Sequence, residues 1–269
     1  MPDDAHLLVF EDITEIVSAQ RAQAWGEVAR RLAHEIKNPL TPIQLSAERL
    51  KRKYGRVITV DREVFDQCTD TIVRQVDDIK RMVDEFSSFA RLPKPVFRAE
   101  DPVDLARQAV FLQEVARPDL SFGFSVEDSA EGGPPLGRLL CDRHQFGQAM
   151  TNVLKNAVEA IEARSRSGAD PDYRGAIRVA MRGRPNDVQV SITDNGIGLP
   201  QERERITEPY MTTREKGTGL GLAIVKKIVE EHGGEMSFAS GSDGGTVVTM
   251  TFARDPVDRA QTPRPEAAE

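Results

Sequence analysis

Residues 19–53, AQRAQAWGEVARRLAHEIKNPLTPIQLSAERLKRK, carry apolar side chains that mostly recur three or four positions apart. This spacing is typical of an amphipathic α-helix with one buried stripe. The apolar stripe contains Trp25, Val28, Leu32, Ile36, Ile43, Ala47 and Leu50. His34 belongs instead to the polar stripe, with Glu27, Arg31, Asn38 and Thr41. The pattern therefore predicts a long helix with an accessible histidine near its middle.

A second helical pattern follows a break at residues 54–61 and runs to about Arg91. Its apolar residues lie at near-heptad spacing, and they are Phe65, Cys68, Ile72, Val76, Ile79, Val83, Phe86 and Phe89. Two helices with such narrow seams form a hairpin too thin to bury a core. We therefore expect two copies to pair as a four-helix bundle in a homodimer. The alternative is a hairpin that packs against the rest of its own chain.

Two prolines, Pro39 and Pro42, follow the histidine within the first helix. Each removes one backbone donor, so we expect the helix to bend just after His34.

The length and composition limit the classes of protein to which the chain can belong. A length of 269 residues suggests about two domains, and 39% hydrophobic with 29% charged residues is typical of a globular chain. The net charge of -7 argues against a broad nucleic-acid footprint, so small molecules or proteins are the expected partners. Cys68 and Cys141 lack C-x-x-C spacing, which fits a reducing cytoplasm rather than a zinc site or disulfide framework. We see neither a signal-peptide pattern nor a window of about 18 apolar residues, and expect no membrane contact in this segment.

The order of patterns divides the chain into segments. Residues 7–16, LLVFEDITEI, resemble a strand without a nearby partner, so we expect 1–18 to be the end of a truncated domain and a linker. The helical hairpin occupies 19–92. The segment Leu92-Pro93-Lys94-Pro95 cannot continue a helix, and we place the next domain at 96–254. The tail 255–269, rich in proline, alanine and charge, is predicted to be disordered.

The second domain mixes helical and strand patterns. We predict helices at 103–115, 142–163 and 220–231, and strands at 120–126, 138–141, 175–182, 187–193, 235–240 and 246–252. Asp142 with Gln145 resembles a capping box, which supports a helix start there. This order predicts an α/β sandwich of one mixed sheet covered by helices. The whole chain is therefore predicted to be α+β, a dimerising helical hairpin followed by an α/β sandwich.

Three polar motifs lie in the second domain. Asn152, Asn156 and Glu159 are spaced four and three apart, so they share one face of the predicted helix. An amide oxygen there is a neutral hard ligand, suited to a magnesium ion that also binds phosphate oxygens. Asp194-Asn195-Gly196-Ile197-Gly198 follows an alternating strand, and its carboxylate can accept a hydrogen bond from an exocyclic amine such as that of adenine. The alternative for this motif is an ordinary turn.

The third motif, Gly217-Thr218-Gly219-Leu220-Gly221, opens a helix whose free N–H groups and positive dipole end favour phosphate. The preceding Thr212-Thr213-Arg214-Glu215-Lys216 has the hydroxyls and cations of a mobile lid over phosphates. Gly244-Gly245-Thr246, just before the last strand, can close the pocket. Neither a Walker loop nor a Rossmann turn has this spacing.

In this order the motifs resemble the kinase core of a bacterial sensor histidine kinase, whose ATP-binding domain is shared with gyrase, Hsp90 and MutL. The resemblance covers roughly residues 19–253, and RLAHEIKNPLTPIQLSAERL is most similar to nitrogen-regulation sensor kinases of the membrane-bound NtrY type. LLVFEDITE resembles the final strand of a PAS sensor domain. The resemblance implies that the chain is the cytoplasmic portion of an inner-membrane protein that binds ATP and Mg²⁺.

The resemblance also implies roles for individual residues. His34 would be the phosphoacceptor, Asn152 and Asn156 the N-box with Asn156 on magnesium, and Asp194 the contact to adenine. EPYMTTREKGTGLGLAI at 208–224 resembles a lid plus a second glycine box, with Tyr210 where many relatives carry phenylalanine. The residues expected to bind nucleotide are Asn152, Lys155, Asn156, Asp194, Gly196, Gly198, Thr212, Thr213, Arg214, Lys216, Gly217, Thr218, Gly219, Leu220, Gly221 and Thr246.

The expected chemistry is phosphoryl transfer, in which positioning and charge neutralisation supply most of the catalysis. A neutral imidazole nitrogen of His34 would attack the γ-phosphate, while Glu35 accepts a hydrogen bond from the other ring nitrogen. Asn38, one turn away, would orient a water that hydrolyses the aspartyl phosphate of a response regulator, although it could also be a polar residue before a proline. The regulator's receiver domain is expected to dock near Arg31–Thr41. Two other functions remain open: a nucleotide-gated conformational ATPase, and a dimerising module that only binds nucleotide.

Overall fold

A computed structural model describes residues 14–90, 92–127, 136–168, 172–199, 206–208, 219–241 and 244–256, with the backbone alone at 14–27, 30, 85 and 88–90. It divides into two compact units, Met1–Pro93 and Lys94–Glu269. Residues 1–13, which belong to the expected end of a truncated domain, lie outside the described residues. So do residues 257–269 of the predicted disordered tail.

The first unit is a helical hairpin of α1 (Thr14–Tyr54) and α2 (Arg62–Ala90), which confirms the predicted fold of this part. Ion pairs between Lys37 and Asp84 and between Lys51 and Asp70 join the two helices. The later residue of α1 pairs with the earlier residue of α2, so the helices run antiparallel. Helix α1 continues without interruption through both of its prolines.

The start of α1 differs from the strand predicted over 7–16. Thr14, Glu15 and Ile16 already belong to the helix. An isolated strand would leave their backbone N–H and C=O groups without partners in the protein, whereas the helix pairs these groups within the segment. The strand prediction is therefore wrong for these three residues.

The contact between α1 and α2 is made by small side chains. Ala29, Ala33 and Ala47 of α1 are buried, as are Thr69, Val76 and Val83 of α2. The larger aliphatic residues predicted as the buried stripe are instead 40–49% exposed, and they are Val28, Leu32, Ile36, Ile43, Leu50, Ile72 and Ile79. Alanines let the two helix backbones approach closely, so the longer side chains lie on the flank of the contact. A single hairpin thus leaves an apolar flank uncovered.

The described residues of the second unit form seven strands: β1 (Arg98–Glu100), β2 (Ser121–Glu127), β3 (Leu139–Cys141), β4 (Ala176–Gly183), β5 (Asp187–Asp194), β6 (Met236–Ser240) and β7 (Thr246–Ala253). Five form a sheet in the order β2-β4-β5-β7-β6, in which β2 and β4 are parallel and the other neighbours are antiparallel. The predicted strand 138–141 does not join this sheet. It pairs with β1, which the sequence pattern missed, in a separate two-stranded sheet.

In the part of this unit that the structure describes, three helices accompany the sheet: α3 (Pro102–Ala116), α4 (Arg143–Ser167) and α5 (Gly221–Glu231). One face of the three central strands is fully buried, through Ile177, Val179, Met181, Val188, Val190, Ile192, Val248, Met250 and Phe252. The alternate residues of these strands are mostly only half-buried. This period-2 pattern places the core between the helices and one sheet face, which confirms the predicted α/β sandwich.

A junction at the half-buried Asp142 holds α4 and α5 together. The Asp142 carboxylate caps α4 by accepting from the N–H groups of His144 (2.9 Å) and Gln145 (3.1 Å). Its second oxygen accepts from the Val96 N–H at 2.9 Å, just beyond the proline segment. Burial alone opposes ionisation of Asp142, but these three backbone donors outweigh it and lower the pKa of the carboxyl.

His232 completes this junction from the end of α5. The ring is fully buried, its Nε2 accepts from the Asp142 N–H at 3.1 Å, and its Nδ1 lies 2.8 Å from the Ile228 carbonyl oxygen. It also packs edge-on against Phe97 and Phe252, with ring centroids 5.2 and 5.7 Å away. Both ring nitrogens are therefore satisfied by the neutral tautomer with hydrogen on Nδ1. Burial lowers the pKa of His232, although the Ile228 carbonyl and the Asp142 charge oppose this shift.

Candidate functional site

The first group of predicted site residues lies on the exposed side of α1. His34, Glu35 and Asn38 are all exposed. Glu35 Oε1 accepts a hydrogen bond from Arg31 Nε at 3.1 Å, so the Glu35 carboxylate is directed toward the preceding turn in this structure. A contact with the imidazole of His34 would require Glu35 to leave Arg31.

The prolines of α1 act on this same segment. Pro39 and Pro42 provide no N–H for the carbonyls of Glu35 and Asn38, which lose their usual helical donor four residues later. Thr41 Oγ1 donates to the Lys37 carbonyl at 3.2 Å, which is neither of these two carbonyls. The helix therefore has two weakened backbone positions within one turn of His34.

Asp194 lies in the second unit, at the end of the central strand β5, and is buried. Its Oδ1 accepts from the backbone N–H groups of Gly196 (2.8 Å) and Thr246 (3.3 Å). The structure thus brings together Asp194, the turn after β5 and the first residue of β7. Asp194 and this turn belong to the predicted Asp194–Gly198 motif, and Thr246 belongs to the predicted Gly244-Gly245-Thr246 motif. The structure therefore joins two of the motifs predicted for a nucleotide site.

Glycines allow the main chain to pack closely around Asp194. A Cβ added at Gly196 would lie 2.5 Å from the backbone carbon of Ala160, and one at Gly245 would lie 1.9 Å from the Asp194 carbonyl oxygen. Gly198 has φ of 79°, and a Cβ there would lie 2.6 Å from the Gly244 carbonyl oxygen. The walls around Asp194 are therefore main chain held at distances that exclude side chains.

Asn195 is a structural residue of this turn. Its Oδ1 accepts from the Ala176 N–H at 2.8 Å, and its Nδ2 donates to the Arg174 carbonyl at 2.8 Å. The side chain thus fastens the end of β5 to the segment that leads into β4. The sequence pattern alone indicates an Asp-Asn-Gly turn and predicts no separate role for Asn195.

Two further residues of the site were missed from the sequence. Arg164 Nη1 donates to the Asn195 carbonyl at 2.7 Å and also lies 3.5 Å from that of Gly196. The Tyr173 hydroxyl lies 3.0 Å from the same Asn195 carbonyl, and the Arg164 guanidinium lies over the Tyr173 ring at 4.9 Å. Burial raises the pKa of Tyr173, as does the charge of Asp194, while Arg164 opposes the shift. Tyr173 is therefore a neutral donor at physiological pH.

The amide-bearing face of α4 lies beside the start of α5. Asn152 Nδ2 lies 3.4 Å from the Gly221 carbonyl, and Asn156 is half-buried one turn further along. Lys155 and Glu159 are exposed. Gly219 has φ of 69°, and the N-cap residue Leu220 is buried. Because leucine has no side-chain acceptor, the first N–H groups of α5 receive no side-chain cap from it.

The lid predicted at Thr212, Thr213, Arg214 and Lys216 lies outside the described residues, as do Tyr210, Gly217 and Thr218. Within the described part of the chain, no three or more His, Cys, Asp or Glu residues are grouped as a metal site. The single amide oxygen of Asn156 fits an ion held chiefly by the phosphates of a nucleotide and by water. Over the same described residues, no helix is both long and apolar enough to cross a membrane.

Two family models match the chain in the order of its two units. Residues 24–95 match the His Kinase A (phospho-acceptor) domain, and residues 141–256 match the histidine kinase-, DNA gyrase B-, and HSP90-like ATPase. The chain therefore belongs to the bacterial sensor histidine kinases, and it contains their phosphoacceptor and ATP-binding domains.

Among curated proteins, the chain is 56% identical over 257 residues to the nitrogen regulation protein NtrY of Azorhizobium caulinodans. The matched region covers 93% of this chain and 32% of NtrY. It is 39% identical over 239 residues to a putative sensor histidine kinase of the NtrY-like type from Rickettsia felis, covering 88% of this chain and 37% of that protein. The chain thus spans about a third of the length of the curated relatives it matches.

Among solved structures, histidine kinase ThkA in complex with response regulator protein TrrA matches with a TM-score of 0.58 and 25% identity, over 91% of this chain and 69% of ThkA. Full-length ShkA in complex with AMPPNP matches with a TM-score of 0.61 and 22% identity, over 86% of this chain and 47% of ShkA. The similarity to ShkA is evidence for the fold alone.

Proposed function

We propose that this chain is an ATP-dependent protein histidine kinase that phosphorylates His34 and passes the phosphoryl group to an aspartate of a response regulator. The observation that carries the proposal is the buried carboxylate of Asp194, held by two backbone N–H groups in a chain that also exposes His34 on a helical hairpin. The first feature is suited to reading a base, and the second to accepting a phosphoryl group.

The nucleotide would bind between the turn after β5 and the start of α5. Asp194 would accept a hydrogen bond from the exocyclic amine of adenine, and the glycines beside it would let the base approach the main chain. The first N–H groups of α5 would face the phosphates, because a helix N-terminus has unpaired donors and a positive dipole end. Thr212, Thr213, Arg214, Lys216, Gly217 and Thr218 would complete the phosphate site as a lid.

Magnesium is the metal that fits this site. The Asn156 amide oxygen would hold it from α4, while Asn152 lies nearer Gly221 and orders the boundary between α4 and α5. When bound, the ion would neutralise charge on the phosphate oxygens.

In the transfer step, one ring nitrogen of His34 would form a bond to the γ-phosphorus as the bond from that phosphorus to the ADP oxygen breaks. The other ring nitrogen carries hydrogen, and Glu35 would accept a hydrogen bond from it and stabilise the positive charge that develops on the ring. Glu35 must first leave Arg31, and this costs little because the ion pair is exposed. The two missing backbone hydrogen bonds near His34 would make the required local adjustment easier.

The regulator would dock on α1 near Arg31–Thr41, where Asn38 is exposed. Asn38 would orient a water toward the aspartyl phosphate, which adds a phosphatase activity. The ThkA structure contains a response regulator, and this supports the kind of partner proposed. Similarity to NtrY supports a role in nitrogen-related signalling.

The hairpin would function as a homodimer. Its uncovered aliphatic flank, described above, would form the centre of a four-helix bundle with a second copy. We place this chain on the cytoplasmic side of a longer, membrane-anchored sensor kinase.

Incubation with magnesium and γ-labelled ATP tests this proposal. The parent should acquire an acid-labile, alkali-stable label, whereas His34→Gln should acquire none and should still bind ADP. Asp194→Asn should lose the label and should bind ADP more weakly than the parent. Release of phosphate without label in the parent would favour a conformational ATPase instead, and nucleotide binding with neither label nor turnover would favour a signalling module.

A further inference from the structure

The Asn195–Gly196 peptide unit makes hydrogen bonds in two opposite directions. Its carbonyl accepts from Arg164 Nη1 at 2.7 Å and lies 3.0 Å from the Tyr173 hydroxyl. Its N–H, which belongs to Gly196, donates to Asp194 Oδ1 at 2.8 Å. A trans peptide is planar and its C=O and N–H point in opposite directions. Whatever fixes the carbonyl therefore fixes the direction of the N–H that reaches Asp194.

We infer that Arg164 and Tyr173 are positioning residues that orient the Asp194 carboxylate for adenine through this peptide unit. The inference rests on the proposed function, because it assigns Asp194 to the base. Neither side chain is required to touch the nucleotide. They act on the carbonyl of one peptide, and that peptide acts on Asp194.

Two donors to the Asn195 carbonyl would prevent the Asn195–Gly196 peptide unit from rotating. If the unit turned over, its carbonyl oxygen would approach Asp194 Oδ1, and two acceptors would meet in a buried position. Glycine at 196 offers little resistance to such a rotation, since glycine populates more of the backbone conformational space than other residues. The Arg164 guanidinium and the Tyr173 hydroxyl oppose it, because the rotation would break both of their bonds to the Asn195 carbonyl. Charge-assisted hydrogen bonds are about twice as strong as neutral ones, so Arg164 should contribute more than Tyr173.

The two donors are themselves held in place. Arg164 lies in the last turns of α4, where a cation interacts favourably with the helix dipole, and it packs over the Tyr173 ring at 4.9 Å. It also lies beside Gly244, where an added Cβ would be 3.7 Å from Arg164 Nη1. The Tyr173 hydroxyl lies 3.2 Å from Asn195 Oδ1, in addition to its contact with the Asn195 carbonyl. The cluster therefore joins the end of α4, the turn after β5 and the turn before β7.

The test compares the binding of two nucleotides by the full chain. ADP carries an exocyclic amine at the base position that Asp194 would read, whereas inosine diphosphate carries a carbonyl oxygen there. Titration calorimetry with each nucleotide in magnesium buffer gives the ratio of the two affinities. This ratio reports the orientation of Asp194, while a general loss of folding or of phosphate binding lowers both affinities together.

For Arg164→Ala we expect the preference for ADP over inosine diphosphate to fall about tenfold, with affinity for inosine diphosphate little changed. Tyr173→Phe keeps the ring and removes the hydroxyl, so the preference should fall about threefold. Arg164→Lys retains the charge and one donor, and should restore part of the preference. The matched control is Arg166→Ala, which removes an exposed cation two residues further along α4 whose Nε donates only to the Glu162 carbonyl. The preference of Arg166→Ala for ADP over inosine diphosphate should equal that of the parent.

A double variant tests whether Arg164 acts through Asp194. Asp194→Asn should abolish the preference, and adding Arg164→Ala should then change it no further. If Arg164→Ala does not fold, as judged by circular dichroism, Tyr173→Phe carries the test alone.

Two results would overturn the inference in different ways. Equal losses of affinity for both nucleotides in Arg164→Ala and Tyr173→Phe would give these residues a purely structural role, while leaving the proposed function intact. A parent that does not distinguish the two nucleotides would overturn the adenine role of Asp194, and this inference with it.

Discussion

Gly245 lies where a side chain cannot be accommodated. A Cβ added there would be 1.9 Å from the Asp194 carbonyl oxygen and 2.7 Å from the Asn195 Cα, and both contacts are to main chain. We predict that Gly245→Ala lowers the free energy of unfolding by about 3 kcal/mol or more and abolishes ADP binding, because the end of β5 must move. Urea denaturation and calorimetric titration with ADP would measure the two effects.

Gly147 provides a matched control on α4. An added Cβ there meets no atom within 4 Å, and the residue lies inside the helix. Gly147→Ala should therefore raise the free energy of unfolding by roughly 0.5–1 kcal/mol and leave ADP affinity unchanged. Similar stability of the two variants would contradict the close packing described at Gly245.

His232 should make stability depend on pH. Its pKa in the folded protein lies below the ordinary value of 6.5, because burial disfavours the charged ring. As pH falls below about 6.5, the unfolded chain takes up a proton that the folded ring resists, so the free energy of unfolding decreases. Protonation would also remove the acceptor that Nε2 offers to the Asp142 N–H. Urea denaturation at a series of pH values from 8 to 5 measures this loss.

The His232→Gln variant isolates that contribution. Its stability at pH 8 should be lower by about 1–3 kcal/mol, since the ring packing and one hydrogen bond are lost. The difference from the parent should then shrink as pH falls from 8 to 5. A constant difference between His232→Gln and the parent across this range would refute the assignment.

At the scale of residues, the sequence indicated Asp194 because it stands beside glycines at the end of an alternating strand. Arg164 and Tyr173 were missed for a physical reason. A cation in the last turn of a helix is common for its dipole alone, and Tyr173 follows a segment without periodicity. Their bonds to the Asn195 carbonyl depend on how α4 and the turn after β5 meet, which no local pattern encodes.

At the scale of elements, the hairpin has an uncovered aliphatic flank that should hold a second copy. Ile79→Lys places a charge on this flank, which also contains Ile43 and Ile72, 47% and 42% exposed. Burying an unpaired ammonium in a four-helix bundle is strongly unfavourable, so we expect this variant to be monomeric at concentrations where the parent is dimeric. Sedimentation velocity across a range of concentrations would measure the change.

Arg74→Ala is the control for this experiment. Arg74 is exposed on the same helix and donates to the Thr71 hydroxyl at 3.1 Å. It follows Ile72 by two residues, so it lies on about the opposite face of the helix from the aliphatic flank. Its loss should leave the association unchanged. A parent that sediments as a monomer throughout would rule out the bundle and favour the alternative in which the hairpin packs against its own chain.

Most elements of the fold were predictable because their patterns are long. Helices α1 and α2 extend over many turns of regular apolar spacing, and β5 alternates strictly along its length. By contrast, β1 contains three residues, Arg98–Glu100, which are too few to show a period. Its existence depends on pairing with β3, and this pairing is decided by tertiary contacts.

At the scale of the whole molecule, the chain divides into two compact units, so we expect two unfolding transitions. ADP binds only one folded unit under the proposed function and should raise the midpoint of that transition alone. The other transition should rise with protein concentration, because association stabilises the hairpin by mass action. Differential scanning calorimetry at two concentrations, with and without ADP, separates these effects. One transition that responds to both variables would show that the units unfold together.

The main-chain contacts around Gly196 and Gly245 also restrict how this protein can vary over generations. Many core substitutions can be rescued by a second change that makes a neighbouring side chain smaller. At Gly245 the neighbouring atoms are all main-chain atoms, which every amino acid possesses, and at Gly196 they are main-chain atoms and the Cβ of Ala160. A selection for suppressors of Gly245→Ala should therefore return the glycine itself, and substitutions at Asp194 or Asn195 should not appear among the revertants.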